Sequence, residues 1–202
     1  MYKYKSKDYK FEFSGKGLRW EDFKANYLEG PLSLKGDLFG SILPEGFLKG
    51  LSGKLAINSE NGRILKTGPV LTKILDLLNF KLIKGVYENL SFDSLGGNCT
   101  IKNGILFTED FKMVSPSVNL LLSGKADLSD EKVDAEIIAQ SLLTKDKVFN
   151  KLNKLLGGFK VFGDKRKEGE QSDDWIKAYF SIYGNFEELK IDLLPEKTFM
   201  FK

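Results

Sequence analysis

The chain has 202 residues, 42% of them apolar and 12% aromatic, with 31 basic and 28 acidic side chains that leave a net charge of +3. This is enough apolar material to fill a core and too even a charge for a general nucleic-acid footprint, and the length suits one domain, with two small ones as the alternative. The chain has no histidine, so the commonest general base, the commonest transition-metal ligand and the Ser-His and Cys-His pairs are missing, and a lone cysteine, Cys99, excludes an internal disulfide.

Tyr2 to Phe13 alternates aromatic residues with lysine and predicts a strand with one aromatic face. The interleaved lysines would suit single-stranded nucleic acid or the guarding of a sheet edge, and the balanced charge favours the edge. Leu18 to Leu28, with Trp20, Phe23 and Tyr27, predicts two further strand-like segments. Leu32, Leu34, Leu38 and Phe39 predict a strand with a bulge at Gly36, and Leu43-Pro44-Glu45-Gly46 a turn. Leu51, Leu55 and Ile57 open a hairpin expected to turn at Asn61-Gly62 into Ile64 and Leu65. The period then changes. Pro69 suits the first position of a helix, and Val70, Leu71, Ile74, Leu75 and Leu78 recur at helical spacing, which predicts a short amphipathic helix over 69–79. Strands resume near Val86, through Leu90, Phe92, Cys99 and Ile101, with Cys99 expected as an inert buried or half-buried thiol.

Asn103 to Gln140 reads as a meander. Asn103-Gly104 is the preferred dipeptide of a two-residue type I′ hairpin, because both central residues take φ > 0. Ser129-Asp130-Glu131 is a polar turn. Between and beyond these turns apolar residues mostly stand two apart, and Ile105, Phe107, Val118, Leu120, Leu122, Leu128, Val133 and Ile137 are expected to share one sheet face. A second helix is expected over 144–157, capped by Thr144 and stopped by Gly157-Gly158. Its lysines Lys145, Lys147, Lys151 and Lys154 would suit anionic lipid headgroups or simply a solvated face. The polar stretch 163–174 reads as a mobile loop, and strands return at Trp175 to Tyr183 and Leu189 to Leu194.

No candidate catalytic residue emerges. Asp127, Asp130, Glu131 and Asp134 lack the glycine-centred spacing of a calcium loop, and neither Gly15-Lys16-Gly17 nor Gly96-Gly97 has the spacing that wraps a phosphate. No metal and no cofactor are expected. No run approaches the ~18–20 apolar residues of a membrane-spanning helix, and the first residues lack the apolar core of a signal peptide.

The run Asn103-Gly104, Ser115-Pro116-Ser117, Gly124, Asp127-Leu128 and Asp134 resembles the C-terminal region of the AsmA-like family. A second match lies in Leu51 to Phe80, where a glycine-led strand, an Asn-Gly turn and a short apolar helix follow in that order. The resemblance implies a periplasmic protein of a double-membraned bacterium, anchored to the inner membrane by a segment outside this chain and involved in phospholipid transport and outer-membrane integrity. It also implies a single β-groove domain over 1–202.

The combined expectation is a mainly β fold: one curved antiparallel sheet, an open groove or half-barrel, with two short amphipathic helices. The function expected of it is non-enzymatic binding of phospholipid or another acyl-chain lipid along the apolar face, with no nucleic-acid partner. The alternative is a scaffold that assists outer-membrane protein assembly by pairing its sheet edge with an envelope protein.

Overall fold

The computed structural model describes residues 8–23, 27–77, 90–141 and 176–198. The predicted helix over 144–157, with Lys145, Lys147, Lys151 and Lys154, and the predicted loop 163–174 lie outside them.

Among the described residues ten strands form one open antiparallel sheet. They are β1 (Asp8–Arg19), β2 (Leu28–Glu29), β3 (Pro31–Ser41), β4 (Ser52–Ile64), β5 (Leu90–Lys102), β6 (Ile105–Val114), β7 (Val118–Asp127), β8 (Lys132–Ser141), β9 (Ile176–Asn185) and β10 (Leu189–Leu193). Apart from β2, which pairs with the far end of β4, the strands lie in chain order from β1 to β10. Two short α-helices lie among the described residues, α1 (Pro69–Leu77) and α2 (Pro195–Thr198). The mainly β class expected from alternation and the single open sheet that the resemblance implied are what the chain adopts.

The turns follow local chemistry. Asn103 (φ 50°) and Gly104 (φ 78°) both take the left-handed conformation that a type I′ turn requires. Between β7 and β8 the Asp127 carboxylate accepts from the Ser129 and Asp130 N–H groups, each at 2.9 Å, and this holds the turn and keeps the carboxyl below its usual range. At Leu43 to Gly46 the Gly46 N–H donates to the Leu43 carbonyl. Pro69 opens α1, where its missing N–H costs nothing.

Three local readings are corrected. Asn61-Gly62 is not a turn: β4 runs straight through it, and Asn61 (φ 52°) is an irregularity inside the strand. Gly62 is there because the Phe92 ring lies over it and a Cβ would collide with that ring. Gly36 is not a bulge either. Its pairing is regular on both sides, and the Phe13 ring of the neighbouring strand covers it. Leu18 to Leu28 does not form two further strand segments: Leu18 and Arg19 end β1 and pair with Leu32 and Pro31, Trp20–Phe23 forms a short 3₁₀ turn, and Leu28 begins the two-residue β2.

The closed core sits at one end of the sheet. Ile74 and Leu75 of α1, both fully buried, pack with Phe92, Val118, Ile137, Ala139, Ala178, Phe180 and Ile191. Nearby, on the β3–β4 half, the Trp20 indole N–H donates to the Ser59 hydroxyl at 3.0 Å, and that hydroxyl donates to the Pro31 carbonyl at 2.7 Å. A buried serine is thereby satisfied. At the other end the segment between β3 and β4 folds back over the sheet. The Phe47 ring stacks on Tyr9 at 4.5 Å, and the Gly104 N–H donates to the Leu51 carbonyl.

Candidate apolar binding face

Residues opposite each other in an antiparallel ladder put their side chains on the same face, so the register traces each face across the whole sheet. One face starts on β1 with Tyr9, Phe11 and Phe13. It continues through Leu34 and Leu38 of β3, Leu55 and Ile57 of β4, and Cys99 and Ile101 of β5. It then passes Leu106, Phe111 and Met113 of β6, and Val118, Leu120 and Leu122 of β7. It ends through Val133 and Ile137 of β8, Phe180 and Ile182 of β9, and Ile191 of β10. No charged residue appears among these. The opposite face carries the charge, including Lys10, Glu12, Lys35, Asp37, Lys54, Lys125, Asp134 and Glu136. Ion pairs there, such as Lys125 with Asp134 at 3.3 Å, are solvated and worth little.

The apolar face divides into a covered and an open part. Beneath α1 it is core. Toward β1 it is left unfilled by the described residues: Phe11 is 51% exposed and Phe13 39%, and Leu34, Leu38, Leu55, Ile57 and Phe111 are only half-buried. Exposed apolar residues that stand singly are ordinary, but a contiguous run of them on one face is the kind of patch that marks a binding surface.

The structure sorts the eight predicted face residues into three groups. Val118, Leu120, Leu122, Val133 and Ile137 do share the apolar face, with Val118 and Ile137 buried in the core and the other three packed at its border. Ile105 and Phe107 are on the opposite, charged face, where they stand across from Asp127 and Lys125. The cause is a bulge in β6. The ladder with β7 pairs Thr108 with Gly124 but Phe111 with Leu122, so β6 carries one extra residue at Glu109-Asp110 and its inward positions change from even to odd. Leu128 is on neither face; it lies in the β7–β8 turn, where its N–H donates to the Gly104 carbonyl at 3.0 Å.

The bulge is held by its own side chains. The Asp110 carboxylate accepts from the Asn98 backbone N–H at 2.8 Å and from the Asn98 side-chain amide at 2.7 Å, which holds Asp110 below the usual carboxylate range. The Thr108 hydroxyl donates to the Asn98 carbonyl at 2.9 Å. Cys99 is buried beside it, and burial pushes its thiol pKa up. Among the described residues, no three Cys, Asp or Glu side chains come together as a metal site would need, and no helix is long and apolar enough to cross a membrane.

Sequence reasoning missed the open part of the face. Alternation marked Phe11, Phe13, Leu34 and Leu38 as apolar positions on their strands, but placing them beside Leu55 and Ile57 requires the strand order. Comparisons of the chain with protein-family models, with curated proteins and with solved structures return no match.

Proposed function

We propose that this chain is a non-catalytic lipid-binding module of the AsmA-like kind, which holds acyl chains against the open part of its apolar face. In this reading it works in the periplasm, in phospholipid transport between the two membranes and in outer-membrane integrity. The observation that carries the reading is the uncharged face that crosses the sheet from β1 to β10 and is left half-exposed over β1, β3 and β4. Water-exposed apolar surface of this extent has an energetic use when something apolar covers it. Each methylene withdrawn from water contributes about 0.8 kcal/mol, so even a partly embedded acyl chain is held firmly. The charged opposite face keeps the module in water, and the described residues of the apolar face include no charged side chain to fix a headgroup, which suits binding by chain rather than by head.

The test is extraction of the purified protein followed by lipid mass spectrometry, with photo-crosslinking from a probe at Phe11. Co-purified phospholipid that crosslinks at Phe11, but not from a probe at Lys54 on the charged face, is the expected result. Absence of lipid, or equal labelling from both faces, counts against the reading. The scaffold alternative is favoured by one feature, the outer edge of β1, which no described strand pairs.

A further inference from the structure

The two outer edges of the sheet are treated differently. At one end β10 has five residues and is crowded by helices: the Lys73 ammonium of α1 donates to the Ile191 carbonyl, and α2 follows directly. At the other end β1 has twelve residues, and no described strand lies beyond it. Natural edges of that length are blunted by charged side chains, lysine above all, by proline or by bulges, and β1 carries Lys10 but sets Glu12 beside it on the same face. Here the stretch Asp8 to Ser14 pairs with β3 without irregularity, and the only break falls beyond it, between Gly15 and Leu18, where Gly17 takes φ 68°. The regular stretch presents aromatic side chains on the apolar face, and Phe11 at its midpoint is more than half exposed.

We propose that β1 pairs antiparallel with β1 of a second copy of this chain, about a two-fold axis through Phe11. An axis perpendicular to the sheet keeps each face on its own side, so only residues of the same face can oppose, and the axis must pass through a residue. Centred on Phe11, the pairing sets Lys10 opposite Glu12 of the second copy, and Glu12 opposite its Lys10. On the apolar face it sets Tyr9 opposite Phe13 twice and Phe11 opposite itself. The neighbouring registers fail on charge. Centred on Lys10, lysine meets lysine and Asp8 meets Glu12; centred on Glu12, glutamate meets glutamate. Like charges directly opposed are unfavourable and aromatic pairs favourable, so the sequence of β1 is self-complementary in this one register of the three.

The monomer shows the same need from the other side. The residue opposite Glu12 on β3 is Asp37, and the residue opposite Lys10 is Phe39, so neither charge has an opposed partner of the other sign within its own sheet. Lys10 reaches Glu12 and Asp37 only by leaning along the strand and across the diagonal. Pairing supplies both opposed partners, occupies the edge that no described strand pairs and covers Phe11 and Phe13. It also joins the apolar faces of two copies into one surface. The inference rests on the edge and its register, and stands whether or not the face holds lipid.

Sedimentation velocity of the chain over a range of concentrations tests it, with Lys10→Glu, Glu12→Lys and the double exchange Lys10→Glu/Glu12→Lys. The wild type is expected to dimerise. Each single variant turns two opposite-charge pairs into like-charge pairs and weakens the dimer roughly tenfold, and the double exchange recovers most of that loss. Circular dichroism establishes that each variant is folded. A second measurement covers the case in which a charge variant fails to fold: in a Cys99→Ser background, Phe11→Cys forms a disulfide-linked dimer on mild oxidation faster than Phe13→Cys. A wild type that stays monomeric overturns the proposal. So does a double exchange as weak as the single variants, or a Phe13→Cys variant that links as fast as Phe11→Cys.

Discussion

Three aspartates placed along β7 separate covered core, open face and solvent. Val118 is fully buried in the core, Leu122 lies on the same face at the core's border between Phe111 and Ile137, and Leu121 lies on the charged face, 37% exposed between Lys112 and Ile138. At Leu121 the loss of a part-buried leucine costs about 1 kcal/mol, while the aspartate stays hydrated and gains Lys112 opposite, worth up to about 0.5 kcal/mol. At Leu122 the loss of a half-buried leucine costs roughly 1–1.5 kcal/mol, half of the full-burial value. A partly hydrated carboxylate against two apolar neighbours adds about 1–2 kcal/mol more. The total, about 2–3.5 kcal/mol, leaves a domain of ordinary stability folded. At Val118 the carboxylate has no water and no partner, and the cost reaches the whole stability of a typical domain, about 5 kcal/mol or more. Urea unfolding followed by circular dichroism measures all three. The expected order is a small fall in midpoint for Leu121→Asp, a larger fall with a cooperative transition for Leu122→Asp, and no folded baseline for Val118→Asp. In the same Leu122→Asp protein, lipid crosslinking from a probe at Leu120 should be lost. A Leu122→Asp protein that is unfolded like Val118→Asp places Leu122 in a closed core. One that matches Leu121→Asp refutes the register that turns Leu122 inward.

Three further outcomes follow from single residues. Gly124 sits at φ 149° with the Ala135 backbone against it, so Gly124→Ala should destabilise by about 2 kcal/mol, and a change in urea midpoint worth less than 0.5 kcal/mol contradicts that packing. Asp110 is held below its ordinary pKa by Asn98, so its contribution is complete above the unfolded carboxylate value near ~3.9 and is lost as pH falls through the lower folded value. Asp110→Asn should therefore lose less stability than the wild type between about pH 5 and pH 3; equal slopes of urea midpoint against pH argue that the bulge is held by something else. Cys99 is buried with a raised thiol pKa, so a thiol reagent should label it far more slowly in the native protein than in urea, and rapid native labelling contradicts its position in the sheet.

The period-two pattern, the Asn103-Gly104 turn, the Ser129 to Glu131 turn and Pro69 were legible in the sequence because each depends on a residue and its immediate neighbours. A strand with one apolar side reads the same wherever it is placed, and a type I′ turn needs two φ > 0 residues and nothing else. What depends on a neighbouring strand was not legible. Asn61-Gly62 has the same dipeptide as Asn103-Gly104, yet it lies inside a strand, because Ser91 and Phe92 of β5 continue the ladder past it and a ring lies over the glycine. Ile105 and Phe107 keep period-two step with Phe111 and Met113 of the same strand but face the other way, because one extra residue at Glu109-Asp110 reverses every side chain on one side of it. The open face itself belongs to the tertiary structure alone. Residues as far apart in the chain as Phe13 and Leu55 come together only when β1, β3 and β4 are laid side by side, and only burial then separates the part under α1 from the part left exposed.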